Sequence, residues 1–105
     1  MADFRWVLPG KLRLPPTRPE GADDYKLAMQ EIEYSSSTEG MPPIEVLLGF
    51  DEQMIIFNGV TRATRAHRYH PDIPVLVEVT DVLLHVNMSR YKTIREVHDE
   101  QSDYE

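Results

Sequence analysis

Three arginines and one glycine set the segment IFNGVTRATRAHRYHP, residues 56–71, apart from the rest of the chain, because it contains no acidic residue. On a helix that starts after Gly59, Arg62 falls in the first turn. Free backbone N–H groups and a guanidinium at that position together bind phosphate or carboxylate groups well. Gly59 suits this use because a glycine permits a tight turn and lets a ligand approach the backbone closely. The residue types therefore predict an anion-binding site.

The same segment also has a purely structural interpretation. At 3.6 residues per turn, one face of the helix carries Val60, Ala63, Ala66 and His67, and the opposite face carries Arg62, Arg65 and Arg68. The first face would pack on a sheet, with His67 as a partly buried packing residue, and the arginines would remain hydrated. Spacing alone does not decide between the two interpretations.

Length and composition limit the classes of protein to consider. The chain has 105 residues, which is enough for one domain with a modest core. It has no cysteine, which excludes disulfides, thiolate metal sites and a cysteine nucleophile. No apolar run approaches the roughly 18 residues of a membrane span, and the N-terminus lacks the apolar core of a signal peptide. We therefore expect a cytoplasmic protein without membrane contacts.

Charge is distributed unevenly along the chain. The formal net charge is -7, and residues 58–71 carry +3, which leaves -10 for the remainder. An acidic surface repels the phosphate backbone, so we do not expect extended binding of nucleic acids, whereas a basic protein is a suitable partner. We expect a single domain over residues 1–98, followed by a disordered acidic tail over residues 99–105.

The elements that must position the arginine segment follow from hydrophobic patterns and helix caps. The predicted strands are 4–7, 44–48, 53–57 and 73–79, with 11–14 as a further strand or a connector and 82–86 as a further strand or an extension. The predicted helices run from Asp23 or Asp24 to about Tyr34, from about Val60 to Tyr69, and from Ser89 to about His98. Strands 44–48 and 53–57 form a hairpin. The pattern predicts an α+β fold: a small mixed sheet with a hairpin and about three helices.

The order of these elements resembles a known superfamily. The stretch PPIEVLLGFDEQMIIFNGVTRATRAHRYHPDIPVLVEV resembles the core of the ParB N-terminal and sulfiredoxin superfamily. In that superfamily a Pro-Ile-x-Val strand is followed by a hairpin, a Gly-x-x-Arg turn, an alanine-containing helix and an Ile-Pro-Val strand. Upstream, VLPGKLRLPP and DDYKLAMQEIEY resemble its opening strand and first helix, so the resemblance covers residues 4–80. It implies a small α+β domain that binds nucleotide phosphates at the Gly-x-x-Arg turn.

Carried over position by position, the resemblance makes Gly59 the turn glycine and Arg62 the arginine that faces the phosphate. The backbone near Thr61 and, one helical turn further on, Arg65 are expected to contribute to ligand binding. Asn58 and Tyr69 are expected at the periphery, where Tyr69 could stack on a base. The candidate ligands are ATP and CTP with magnesium, and no separate metal site is predicted.

The sequence departs from the superfamily where its members carry out chemistry. Sulfiredoxins have their catalytic cysteine directly after the glycine, where this chain has Val60, which excludes sulfiredoxin chemistry. ParB proteins commonly have glutamate and arginine at the positions of Val60 and Thr61. In nuclease-like members an acid precedes the glycine and histidines follow it, and here Asn58 takes the place of that acid. We therefore predict no catalytic residue and expect little or no turnover.

Three functions from different classes follow from the sequence. The leading hypothesis is a ParB-like domain that binds a nucleotide or another phosphate ligand with little or no catalysis. The alternative is an acidic interaction protein, of the immunity or inhibitor type, that uses the fold as a scaffold. The third is a divergent ParB-like nuclease, which ranks last because the flanking acid and histidines are missing.

Overall fold

A computed structural model describes residues 2–35 and 37–102. In this part of the chain the strands are β1 (Asp3–Val7), β2 (Ile44–Gly49), β3 (Met54–Asn58) and β4 (Val75–Leu83). The helices are α1 (Asp24–Tyr34), α2 (Val60–Tyr69) and α3 (Ile94–Ser102), with short 3-10 turns at Pro9–Lys11 and Met88–Arg90. The predicted α+β fold, a small mixed sheet with helices, is confirmed.

The four strands form one sheet in the order β1-β4-β2-β3. The predicted hairpin is confirmed, since β2 and β3 pair antiparallel with Val46 opposite Ile56. β1 pairs antiparallel with β4, whereas β2 and β4 are parallel. Because β2 lies between β3 and β4, α2 carries the chain across β2 from one strand to the other. This crossover places the start of α2 directly at the end of β3.

The hydrophobic core lies between the helices and one face of the sheet. Its sheet side includes Ile44 and Val46 of β2 and Val75 and Val77 of β4, which alternate along their strands as a sheet requires. Its helix side includes Ala63 and Ala66 of α2, Ile94 and Val97 of α3, and the connector residues Leu12 and Leu14. The alanines have no long side chain, so α2 approaches the sheet closely. The predicted apolar face of α2 is thereby confirmed.

Helix caps explain why the predicted start of α1 is correct and the predicted start of α3 is wrong. The Oδ1 atom of Asp23 accepts hydrogen bonds from the backbone N–H groups of Tyr25 and Lys26 at 2.9 and 3.2 Å, so Asp23 caps α1 as predicted. The prediction that Ser89 begins the last helix is wrong. Thr93 and Glu96 form a capping box there: the Glu96 N–H donates to Thr93 Oγ1 at 3.1 Å, and the Thr93 N–H donates to Glu96 Oε1 at 3.3 Å.

The ambiguous segments of the sequence are also resolved. Residues 11–14 form a connector, in which Arg13 makes isolated bridges to Ile55 and Thr93. Residues 82–83 extend β4 and do not begin a new strand. α3 continues to Ser102, so residues 99–102 are helical, and the rest of the expected tail, 103–105, lies outside the described residues. In residues 2–35 and 37–102 no helix is long and apolar enough to cross a bilayer.

His67 is a buried residue of α2, as its place on the apolar face predicted. It is 8% exposed, and its ring meets that of His98 edge to face with the centroids 5.1 Å apart. Its Nδ1 atom has no hydrogen-bond partner in the described part of the chain. Burial and then the neighbouring His98 lower the pKa of His67, Arg95 adds to the lowering, and Asp99 opposes it. The folded state therefore favours the neutral form of His67.

This lowered pKa predicts a loss of stability at mildly acidic pH. Below about 6.5, the ordinary pKa of histidine, the unfolded chain binds a proton at His67 that the folded state resists, so stability falls as the pH decreases. We expect the melting temperature to fall between about pH 7 and pH 5, and His67→Gln to flatten this dependence. His85→Gln, at an exposed position, is the control. Equal pH profiles for wild type and His67→Gln would contradict the assignment.

Candidate functional site

A cleft of about 270 Å³ opens where β3 ends and α2 begins. One wall is the β3–α2 junction, from Phe57 to Arg62, and the other comes from the segment before α1 and the exposed side of α1. Four of the residues predicted from the sequence line this cleft, namely Asn58, Gly59, Thr61 and Arg62. The fold therefore brings the predicted turn into a concave place that can hold a small ligand.

Gly59 is the residue that makes the turn at the mouth of the cleft possible. Its φ is 116°, a left-handed conformation that side chains rarely adopt. A Cβ atom at Gly59 would lie 2.8 Å from Arg62 Nη2 and 3.3 Å from Ile44 Cγ2. Gly59 has no side chain to cap α2, and within residues 2–35 and 37–102 no side-chain cap bonds the first-turn N–H groups. These groups can donate to an anion in the cleft.

Arg62 is held in place but keeps donors for a ligand. Its Nη2 atom donates a hydrogen bond to the carbonyl oxygen of Pro43 at 3.2 Å, which fixes the guanidinium beside Gly59. Its Nε atom is buried and finds no hydrogen-bond acceptor among the residues that the structure describes. Among the described residues no carboxylate forms a salt bridge with it. A buried donor without an acceptor is costly. The guanidinium lines the cleft without a carboxylate partner, so it can attract an anion there.

Two further cations, which were not predicted from the sequence, line the cleft. Arg18 and Lys26 face it from the opposite wall, and neither forms a salt bridge within the described part of the chain. The acid in the lining is Asp23, whose carboxylate caps α1. No local pattern in the sequence connects Arg18 or Lys26 with Gly59. They reach the cleft because α1 packs beside α2.

Arg65 corrects the prediction of a hydrated arginine face. It is 2% exposed and does not line the cleft. Its Nε atom donates to Gln30 Oε1 at 3.2 Å, its Nη1 atom donates to the Ser37 carbonyl oxygen, and its Cζ atom lies 5.1 Å from the centre of the Tyr34 ring. The face of α2 that carries Arg65 is covered by α1, which is why the residue is buried. Arg65 lies outside this cleft and lines a smaller neighbouring one together with Arg62, so its expected contact with a ligand stays a prediction.

We expect Arg65→Met to destabilise the protein and to leave ligand binding almost unchanged. Methionine keeps much of the packing but leaves the hydrogen-bond acceptors of Gln30 and Ser37 without a donor. Hydrogen bonds to a charged group are worth about 1.5–3 kcal/mol, so unfolding in urea should show a loss of that order. Arg68→Met is the matched control, since the exposed pair of Arg68 and Glu31 is worth at most about 1 kcal/mol. Equal losses for the two variants would show that Arg65 has no special structural role.

The aromatic residue that lines the cleft is Phe57, whereas the sequence predicted Tyr69 at the periphery of the site. Tyr69 is the last residue of α2, which places it about 13 Å along the helix axis from Val60, and it does not line the cleft. Phe57, the residue before Asn58, lines the cleft and is 66% exposed. The sequence did not single out Phe57, because an aromatic residue in a strand usually packs in the core. The structure therefore favours Phe57 over Tyr69 as a surface on which a ring could stack.

Fold and cleft together define a small α+β protein with a cleft, lined by three cations and one carboxylate, at the start of one helix. No protein-family model matches the chain, and no curated protein matches it. Among solved structures, the chain is similar to the crystal structure of protein Atu1540 from Agrobacterium tumefaciens, with a TM-score of 0.66 and 12% sequence identity. The similarity covers 97% of this chain and 50% of that chain, so this chain spans about half the length of that protein. At this identity the similarity concerns the fold alone.

Proposed function

We propose that the cleft beside Gly59 binds a nucleotide or another small phosphate-bearing ligand, with little or no catalysis. One observation carries the proposal: in a chain of formal net charge -7, the side chains of Arg18, Lys26 and Arg62 line one cleft without an acid partner among the described residues. Unpaired cations that converge on a concave site are the usual means of holding a polyanion.

The start of α2 supports the same ligand chemistry. No side chain of the described residues caps its first N–H groups, and the helix dipole gives this end a partial positive charge. A phosphate at this end would accept from these groups and from the guanidinium of Arg62, which lines the cleft. The resemblance of the Gly59–Arg62 turn to the Gly-x-x-Arg turn of ParB and sulfiredoxin proteins points to the same kind of ligand.

A nucleotide suits the cleft better than a bare phosphate. Phe57 is an exposed aromatic ring in the same lining, and stacking of a base on an aromatic ring is worth roughly 1–3 kcal/mol. The three cations and the carboxylate of Asp23 give the lining a formal charge of +2, which favours a polyphosphate. ATP and CTP, with magnesium as the counter-ion that such phosphates carry, are therefore the candidate ligands.

The residues beside the turn give little means of catalysis. Asn58, Val60 and Thr61 cannot act as a general base at neutral pH, and the carboxylate of Asp23 already accepts two backbone N–H bonds as the cap of α1. Turnover of a bound nucleotide should therefore be slow or absent. A divergent nuclease ranks lower, because Asn58 stands where nuclease-like members of the superfamily have an acid.

Calorimetric titration tests the proposed function. ATP, CTP and a short single-stranded oligonucleotide are titrated against the wild-type protein, with and without magnesium. We expect binding of at least one nucleotide, weaker binding at higher salt, and no tighter binding of the oligonucleotide, because the acidic remainder of the surface repels it. Absence of binding by all of these ligands at millimolar concentration would overturn the proposal and favour the interaction protein.

A further inference from the structure

The face of the sheet turned away from the core is open over much of its area. Side chains alternate along each strand, so the neighbours of buried Val46 and Val77 point to this second face. The open face consists of Phe4, Trp6, Glu45, Leu47, Leu76 and Glu78. The strand register places Phe4 beside Glu78 and Trp6 beside Leu76. Trp6 is 70% exposed and Phe4 52% exposed, so this face presents two large aromatic side chains to solvent.

Two carboxylates lie side by side in the middle of the open face. Glu45 of β2 and Glu78 of β4 are direct partners in the parallel register, and both are half-buried. Like charges in this arrangement destabilise a sheet. No lysine or arginine of the described residues forms a salt bridge with either, and the nearby Arg5 pairs with Asp3. The pair is therefore left without a neutralising cation within residues 2–35 and 37–102.

β1 leaves an unpaired strand edge next to the pair of carboxylates. It is an edge strand, paired with β4 on one side only among the described strands. Exposed edge strands that carry large apolar side chains tend to be covered by another chain. Phe4 and Trp6 belong to this edge strand. The apolar side chains, the unpaired edge and the carboxylate pair are thus contiguous.

We propose that the open face is a docking surface for a basic protein, which places an arginine or lysine between Glu45 and Glu78 and covers Phe4 and Trp6 with apolar side chains. Charge complementarity decides the occupant. A cation removes the repulsion of the two carboxylates, and an arginine over an indole ring gains a further cation–π interaction. A second copy of this chain would bring two more carboxylates and a further net charge of -7 to the interface.

The docking surface and the cleft adjoin at β3, because Glu45 is the register partner of Asn58, which lines the cleft. None of the six residues of the open face lines the cleft. The chain has one tryptophan, so the fluorescence of Trp6 reports on the open face alone. The two proposals are tested apart, because Trp6 lies on β1 and the cleft borders β3, at opposite edges of the sheet.

The probe for this proposal is a short synthetic peptide of alternating arginine and valine. The control is the same peptide with citrulline at each arginine position, which keeps the shape of the side chain and removes its charge. We expect the arginine peptide to shift Trp6 emission to shorter wavelength in a saturable way, and to bind less tightly as salt increases. The citrulline peptide should bind about tenfold more weakly or worse. Absence of any shift at millimolar arginine peptide would overturn the proposal.

Paired charge variants separate the open face from general electrostatics. Glu45→Gln with Glu78→Gln should weaken the arginine peptide by about tenfold, whereas Glu33→Gln with Glu39→Gln, at exposed positions with the same loss of charge, should weaken it by less than about twofold. The first variant should also melt at higher temperature than the wild type, because the repulsion is gone. Equal weakening by both variants would overturn the proposal. So would Trp6 emission of the free protein that changes with protein concentration, since a second copy would then cover the face.

Discussion

Replacement of Arg62 by alanine is expected to weaken nucleotide binding by about ten- to a hundredfold. The estimate follows from the loss of one or two charge-assisted hydrogen bonds, each worth roughly 1.5–3 kcal/mol, partly offset by water that enters the cleft. Arg62 combines an unpaired buried Nε with a guanidinium fixed by the Pro43 carbonyl, so its donors are already oriented before a ligand arrives. Calorimetric titration of ATP or CTP measures the effect.

Two variants accompany this measurement. Arg68→Ala removes the same charge from the same helix, but Arg68 pairs with Glu31 outside the cleft, so binding should weaken by less than about threefold. Arg62→Lys keeps the charge and loses the planar fork, so its affinity should fall between those of the wild type and Arg62→Ala. Equal losses for Arg62→Ala and Arg68→Ala would mean that only long-range charge matters. Arg62 would then not be a ligand-binding residue.

Gly59→Ala is expected to cause a large loss of stability, about 2–5 kcal/mol in urea unfolding. The φ of 116° is strained for any residue with a Cβ, and that Cβ would overlap with Arg62 Nη2 at 2.8 Å and press on Ile44. Arg62 would have to leave the position in which it lines the cleft. The variant should therefore bind nucleotide less tightly even under conditions in which it remains folded.

Gly40 provides the matched control for this substitution. Its φ is 72°, also in the left-handed region, but no atom lies within 4 Å of a Cβ built at Gly40. Gly40→Ala should cost only the backbone strain of roughly 1–2 kcal/mol and should leave nucleotide binding unchanged. If both alanine variants lose the same stability and neither loses affinity, the close packing around Gly59 is not a feature of a binding site.

The sequence allowed prediction of the elements that are encoded locally. Asp23 satisfies the first N–H groups of α1, the alternating residues of β2 and β3 give a hairpin, and Gly59 with the alanine face predicts α2. The start of α3 was missed although its signal is local. Ser89 and Thr93 both have cap chemistry, but Thr93 has a glutamate three residues later and therefore forms the reciprocal capping box.

The composition of the cleft and of the open face could not be predicted, since both depend on which elements meet. Periodicity separates two faces of α2 but does not reveal that α1 covers the face with Arg65. Arg18 and Lys26 are remote in sequence from Gly59 and reach it through the same packing. The exposure of Trp6 follows from the position of β1 at the edge of the sheet, which the sequence does not reveal.

The most direct test of the central claim is a nuclear magnetic resonance titration of isotopically labelled protein with ATP. The proposed site predicts that the largest shifts occur at the backbone amides of Gly59, Val60, Thr61 and Arg62, with further shifts near Arg18 and Lys26 across the cleft. The shifts should saturate, and they should be absent for adenosine without phosphate at the same concentration. Largest shifts at residues away from the cleft, or no shifts at millimolar ATP, would contradict the assignment of this cleft as a phosphate-binding site.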